Sequence, residues 1–195
     1  MSRTATFLFR VALGLALVAV SISVPAPAVA QGSIVFNQVP EPVGSAVFVR
    51  GTGATKADGL LVLELWAKDV TDLYGVTFAF RYPKKLFKFP AGLADVVTEG
   101  NFLSENGVEP TNLVVKKTSE GVLEVGFSRL GQVPGVTGTG HLFTLKLRGL
   151  GVSGSKKIRY RRARAVSSTV QVFEDVVFRA GKIVVQAAQE DPYAS

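Results

Sequence analysis

The chain holds few side chains that could do chemistry. His141 is the only histidine, so a Ser-His-Asp relay would have to use it. It follows the glycine-rich stretch Gly131–Gly140 and reads as a solvated residue at the start of a strand. Asp69, Asp72, Glu99, Glu105 and Glu109 all fall in turn-like or loop-like sequence, where a solvated charge is the default. Whether two of them form a glycosidase pair depends on their separation in space. The GTGATK segment at Gly51–Lys56 lacks the spacing of a phosphate-binding loop and no helical pattern follows it, so it reads as a hairpin loop. The chain has no cysteine, which excludes thiol catalysis, zinc–thiolate sites, lipid attachment through cysteine and disulfides. On this reading no residue is assigned a catalytic or metal-binding role, and no cofactor is expected.

Two features are better suited to binding. Trp66, the lone tryptophan, sits on the mixed face of a strand pattern among Val62, Glu64 and Lys68. It could stack on a sugar ring, or simply cover a neighbouring strand. The basic run Lys156, Lys157, Arg159, Arg161, Arg162 and Arg164 could meet nucleic acid, an acidic polysaccharide or an acidic protein face. It could equally be the solvated face of a strand. An export signal argues against nucleic acid.

That signal is read at Met1–Ala30. Arg3 and Arg10 precede the apolar run Val11–Val20, and Ala28-Val29-Ala30 makes a small-x-small cleavage pattern before Gln31. Pro25 and Pro27 break a run already short for a membrane span, so an exported protein with no stable span is expected, whether periplasmic, extracellular or at the cell surface. Without Arg3 and Arg10, the 22 basic residues fall to 20 against 15 acidic, and the net charge from +7 to +5. With no disulfides, stability must come from packing.

The elements that position these residues are strands. From Leu73 to Leu86 the alternation puts Tyr74, Val76, Phe78, Phe80 and Tyr82 on one face. Pro83 ends the strand, and a turn at Lys84-Lys85 returns Leu86, Phe87 and Phe89 to the core. In Leu60–Val70, Leu61, Leu63, Leu65 and Ala67 share a face. The intervening Val70–Gly75 reads as a turn, so that the two strands pair antiparallel or face each other across the core. Further strands are expected at Ile34–Phe36, within an extended lead-in over 31–44, and at Ser45–Arg50. Thr111–Thr118 and Gly121–Leu130 form a hairpin across Ser119-Glu120-Gly121, with Leu123, Val125 and Phe127 facing inward. Gly131–Gly140 reads as a loop before the strand His141–Arg148. Lys156–Ala165 reads as one strand with Ile158, Tyr160, Ala163 and Ala165 inward, which demands an irregularity near Arg161 and Arg162. Two short strands flank Ala180-Gly181. Leu93–Val97 and Gly100–Gly107 make a long connection in which Phe102 and Leu103 plug one end of the core. Residues 187–195 read as a flexible tail. About nine strands with frequent turns and no amphipathic helix give an all-β antiparallel sandwich over 45–186.

The order of LLVLELWAKDVTDLYGVTFAFRYPKKLFKF, GNFLS, GVLEVGFSRL, GVTGTGHLFTLKLRG and FRAGKIVV resembles the cohesin domain family, from about Ser45 to Gln186. The most specific parts are Gly75–Leu86 and the Gly138-Thr139-Gly140 turn. The family often has Tyr-Asp-Pro where this chain has Tyr82-Pro83. The resemblance implies a jelly-roll sandwich and a non-catalytic module that binds a dockerin-type or other secreted protein through one sheet face, in the setting of polysaccharide degradation. Alternation then places Thr77, Ala79, Arg81, Lys116, Glu124, Ser128, Arg159 and Arg161 outward on that face. Two other readings are carried: a carbohydrate-binding module using Trp66, with polysaccharide as partner, and a structural part of a secretion or cell-surface apparatus.

Overall fold

The computed structural model describes residues 32–90, 96–119 and 121–188. The segment read as an export signal with its cleavage site, Leu93–Asp95 of the long connection, Glu120 of the hairpin turn and the residues beyond 188 lie outside them. The strands are β1 (Ser33–Asn37), β2 (Ala46–Thr52), β3 (Leu60–Arg81), β4 (Phe87–Lys88), β5 (Val97–Glu99), β6 (Thr111–Ser119), β7 (Val122–Arg129), β8 (Val136–Gly149), β9 (Gly154–Lys157), β10 (Arg159–Ser167), β11 (Val177–Arg179) and β12 (Lys182–Gln186). The protein is an all-β sandwich. Nine strands join in one folded sheet, and β1, β12 and β9 form a second, three-stranded one. The pairings are antiparallel except that of β11 with β2, which is parallel.

The organising element is β3, 22 residues long. Its first half pairs with β2 and β8, and its second half pairs with β7 and β10. The expected turn between two strands is therefore a bend within one. Asp69 and Asp72 adopt left-handed backbone at φ 47 and 57, a conformation aspartate tolerates better than most residues. The register with β8 slips on either side of Val70. The amides left unpaired are satisfied from β8: Asp69 N–H donates to Thr139 Oγ1 at 3.0 Å and Asp72 N–H to Thr137 Oγ1 at 3.1 Å. Asp72 Oδ1 accepts the Gly135 amide at 2.7 Å, and Oδ2 accepts the Ser168 hydroxyl at 2.9 Å. These hydroxyl groups explain why residues 136–140, read as loop, are strand.

Each slip resets which side chains face inward. Leu61, Leu63, Leu65 and Ala67 are buried, then Val70 and Leu73, then Val76, Phe78, Phe80 and Tyr82. Tyr74 falls at an irregularity opposite β10 and stays half-buried, its hydroxyl donating to Gly131 O at 2.7 Å. Across the core Phe78 stacks on Phe143 of β8 with centroids 5.8 Å apart, and meets Phe178 of β11 and Tyr160 of β10 edge-on. Such ring pairs hold the layers together beyond simple burial.

Other expectations hold or shift for local reasons. Leu86 and Phe87 amides both donate to Pro83 O, closing the turn that buries these two residues and sets Phe89 against Tyr82 at 4.7 Å. β6 and β7 form the expected hairpin. Leu103 is fully buried and Phe102 packs over Gly140, where a Cβ would collide with its ring. The strand read over Lys156–Ala165 is two strands: at Ile158 the chain leaves β12 for β3. The expected irregularity is a bulge, with Arg162 at φ 51 and a register shift between Arg161 and Arg164. Residues 33–37 of the lead-in form β1, paired along its length with β12 and burying Ile34 and Phe36. These short and divided strands are why twelve appear where about nine were expected.

Candidate functional site

The second half of β3 is flanked by β10 on one side and by β7, then β6, on the other. The inner side of this four-stranded layer carries the core residues just described. Its outer side is set by register, because directly paired residues of antiparallel strands point the same way. Arg159 lies opposite Arg81, Arg161 opposite Ala79 and Arg164 opposite Thr77. Across the other edge of β3, Ala79 pairs with Glu124, Thr77 with Gly126 and Gly75 with Ser128. Lys116 pairs with Glu124, Val114 with Gly126 and Asn112 with Ser128.

Thr77, Ala79, Arg81, Lys116, Glu124, Ser128, Arg159 and Arg161 are thus brought together on one outer face. Ala79 is buried there, with 7% exposure. Arg162 on the bulge of β10 approaches Glu124 on β7, Nη1 to Oε1 at 4.0 Å, and Ala79 occupies the strand between them. Sequence reasoning left Arg162 and Arg164 off the face, although the irregularity expected near Arg161 and Arg162, with Ala163 and Ala165 inward, already turns Arg164 outward; the structure adds Arg162, carried towards Glu124 by the bulge. Sequence reasoning also missed the relief around Gly126. Two shallow depressions, of about 250 and about 290 Å3, meet over Thr77, Val114 and Gly126. A Cβ at Gly126 would touch nothing within 4 Å, and Val114 beside it is 54% exposed. The signal was a glycine inside an otherwise alternating strand, a position where something can approach the backbone closely.

Trp66 lies elsewhere, on the outer side of the layer formed by β2, the first half of β3 and β8. It pairs with Phe48 and with His141. The Arg50 guanidinium sits over its ring at 4.5 Å, the His141 ring lies 5.5 Å away, and the indole N–H donates to Glu64 Oε2 at 3.1 Å. His141 is a mid-strand residue of β8, its Nε2 3.1 Å from Thr144 Oγ1. Arg50 and Lys68 are in turn tied to Glu41 at 3.8 and 3.4 Å, and Lys68 donates to Pro42 O at 2.9 Å. The lead-in therefore runs beside this second face.

Among the described residues no three His, Cys, Asp or Glu side chains come close enough to hold a metal ion, and no helix is long and apolar enough to cross a membrane. Glu105 and Glu109 converge on the buried guanidinium of Arg129, with Nη2–Oε2 distances of 2.8 and 3.9 Å. Glu99 accepts a hydrogen bond from the Thr111 hydroxyl. Asp72 is held below the usual carboxylate range by the Gly135 amide and the Ser168 hydroxyl, against a smaller opposing effect of desolvation.

No protein-family model matches the chain, and no curated protein sequence matches it. Solved structures do. The second type II cohesin module of the adaptor scaffoldin ScaA of Acetivibrio cellulolyticus superposes with a TM-score of 0.61 at 15% identity, covering 73% of this chain and 98% of that one. A cohesin from the same organism, solved in a type II cohesin–X–dockerin complex, gives 0.59 at 14% identity over 71% and 97% of the two chains. A type II cohesin from Bacteroides cellulosolvens gives 0.55 at 12% identity over 73% and 97%. The chain has the fold of a cohesin module.

Proposed function

We propose that this is an exported, non-catalytic cohesin-like module that binds a dockerin-type or similar secreted protein through the outer face of β10, β3, β7 and β6. The observation that carries this reading is the face itself. It is one open layer whose register gathers exposed polar and basic side chains around a shallow apolar centre at Gly126 and Val114. An open surface with only shallow hollows suits contact with another protein better than capture of a small molecule in a pocket. Likeness of fold to cohesin modules, one of them solved in a complex with a dockerin, supports the class of partner, though fold alone does not fix function. Export, and a place in polysaccharide degradation, belong to the same proposal and rest on the sequence of Met1–Ala30 and on this likeness. The sugar-binding alternative has weaker support, because one side of the Trp66 ring is already covered by Arg50.

The test is titration calorimetry of the mature chain against a panel of dockerin modules and of soluble glycans. Thr77→Trp, which raises a bulky ring in the middle of the face, should lower the affinity for a bound dockerin about tenfold or more. Trp66→Ala should leave it unchanged. Glycan binding lost on Trp66→Ala, with no dockerin bound, would transfer the function to the other face.

A further inference from the structure

Two independent features of the face bear on the chemistry its partner presents. The first is charge. Arg81 and Arg159 stand directly opposite each other across the β3–β10 ladder, a like-charge pairing that destabilises a sheet. Neither has a carboxylate within ion-pair distance among the described residues, and the same holds for Arg161 and Arg164. Glu124 is the one acid that register places on this outer side among the described residues, and Arg162 already approaches it. Apart from Glu124, which Arg162 already engages, no acid among the described residues offsets the arginines of this face, three of which, Arg159, Arg161 and Arg164, follow one another along β10.

The second is shape. The hollow over Gly126 is apolar at its rim, where Val114 stands exposed. Arg161 and Arg164 lie on the rungs of Ala79 and Thr77, and Thr77 pairs with Gly126 on the next strand. With strands about 4.8 Å apart, the guanidinium groups come within one side chain's reach of the hollow.

We infer that the partner is an acidic protein segment which sets one apolar side chain over Gly126 and carboxylates against Arg161 and Arg164. The inference rests on the face being the partner-binding face. A polysaccharide bearing carboxylates would satisfy the arginines but has no aliphatic side chain to fill the hollow, and this favours protein.

The probes are a fluorescent peptide with glutamates on both sides of a single leucine, the same peptide with serine in place of leucine, and polygalacturonate. Anisotropy should show the leucine peptide binding about tenfold tighter than the serine peptide. Its affinity should fall about tenfold between roughly 0.05 and 0.5 M salt. Arg161→Glu with Arg164→Glu should weaken both peptides. Gly126→Leu, at a position with no left-handed backbone to disturb, should reduce the leucine peptide to the level of the serine one. Failure of the leucine peptide to bind, equal binding of the two peptides, tighter binding of polygalacturonate, or indifference to the charge reversals would each overturn the inference. A dockerin module that loses affinity on Thr77→Trp but ignores both charge reversals would keep the face and remove its acidic partner. One that ignores all three substitutions would remove both.

Discussion

Arg162 on β10 brings its Nη1 to 4.0 Å from Oε1 of Glu124 on β7, with Ala79 of the intervening β3 lying between them. Both side chains are well exposed, at 86% and 44%, so this pair contributes little to folding. What fixes Arg162 over the face is its backbone, held at φ 51 by the bulge. Arg162→Gly should therefore be about 1 kcal/mol more stable than Arg162→Ala, since only glycine adopts that backbone without strain. Chemical denaturation of the two variants checks this; equal stability would mean that the bulge relaxes once the side chain is gone.

Asp72 binds the two halves of β3 to their surroundings through Gly135 and Ser168, and its pKa lies below the ordinary carboxylate value. A group whose pKa falls on folding adds stability that is fully present above its unfolded pKa, about 3.9. That stability is lost as pH falls through the lower folded value. Asp72→Asn keeps a residue tolerant of φ 57 but removes the charge. Its melting temperature should lie below that of the parent at pH 7, and the gap should close as the pH is taken below about 4. A gap independent of pH would show that geometry, not charge, holds the bend.

The tyrosine at 160 packs its ring against Phe78, Phe80 and Phe178. Its hydroxyl is buried without a hydrogen-bond partner among the described residues, and desolvation pushes the phenol far above its usual pKa. A buried polar group with no partner opposes folding. Tyr160→Phe should therefore hold or raise stability, by up to about 1 kcal/mol, as measured by denaturant unfolding. A clear loss would place an ordered water on that oxygen.

How far these features could be read in advance depended on whether their cause was local. Alternation within each half of β3 correctly separates Leu61–Ala67 from their outward neighbours, and Val76–Tyr82 from theirs. Pro83 marks the end of the strand because a missing N–H is a property of one residue. The continuity of β3 was not legible, because the groups that accept the Asp69 and Asp72 amides are Thr137 and Thr139, more than sixty residues away. The same limit applied to the face. Thr77 and Lys116 follow from parity alone, and Arg164 from the irregularity that keeps Ala163 and Ala165 inward, whereas the left-handed backbone that carries Arg162 towards Glu124 belongs to the geometry of the bulge itself. Parity also carried a warning at Arg129, which continues the inward series of Leu123, Val125 and Phe127.

That arginine is 2% exposed. Its Nη2 contacts Glu105 and Glu109 from the loop that closes this end of the sandwich, while Nε and Nη1 have no partner among the described residues. Breaking a buried pair from one side leaves an uncompensated charge, whereas replacing the ion by an apolar residue of similar volume is much better tolerated. Glu105→Gln with Glu109→Gln should accordingly destabilise the fold, by less than the roughly 3 kcal/mol of a fully buried pair, because Glu105 is half-exposed and each glutamine keeps an oxygen that can accept from the guanidinium. Arg129→Met should cost less than this double change, despite removing the same ion pairs. Stabilities from urea unfolding at neutral pH decide the order. If Arg129→Met proves the more damaging, the guanidinium serves the loop through packing and hydrogen bonding, and its charge is of no consequence there.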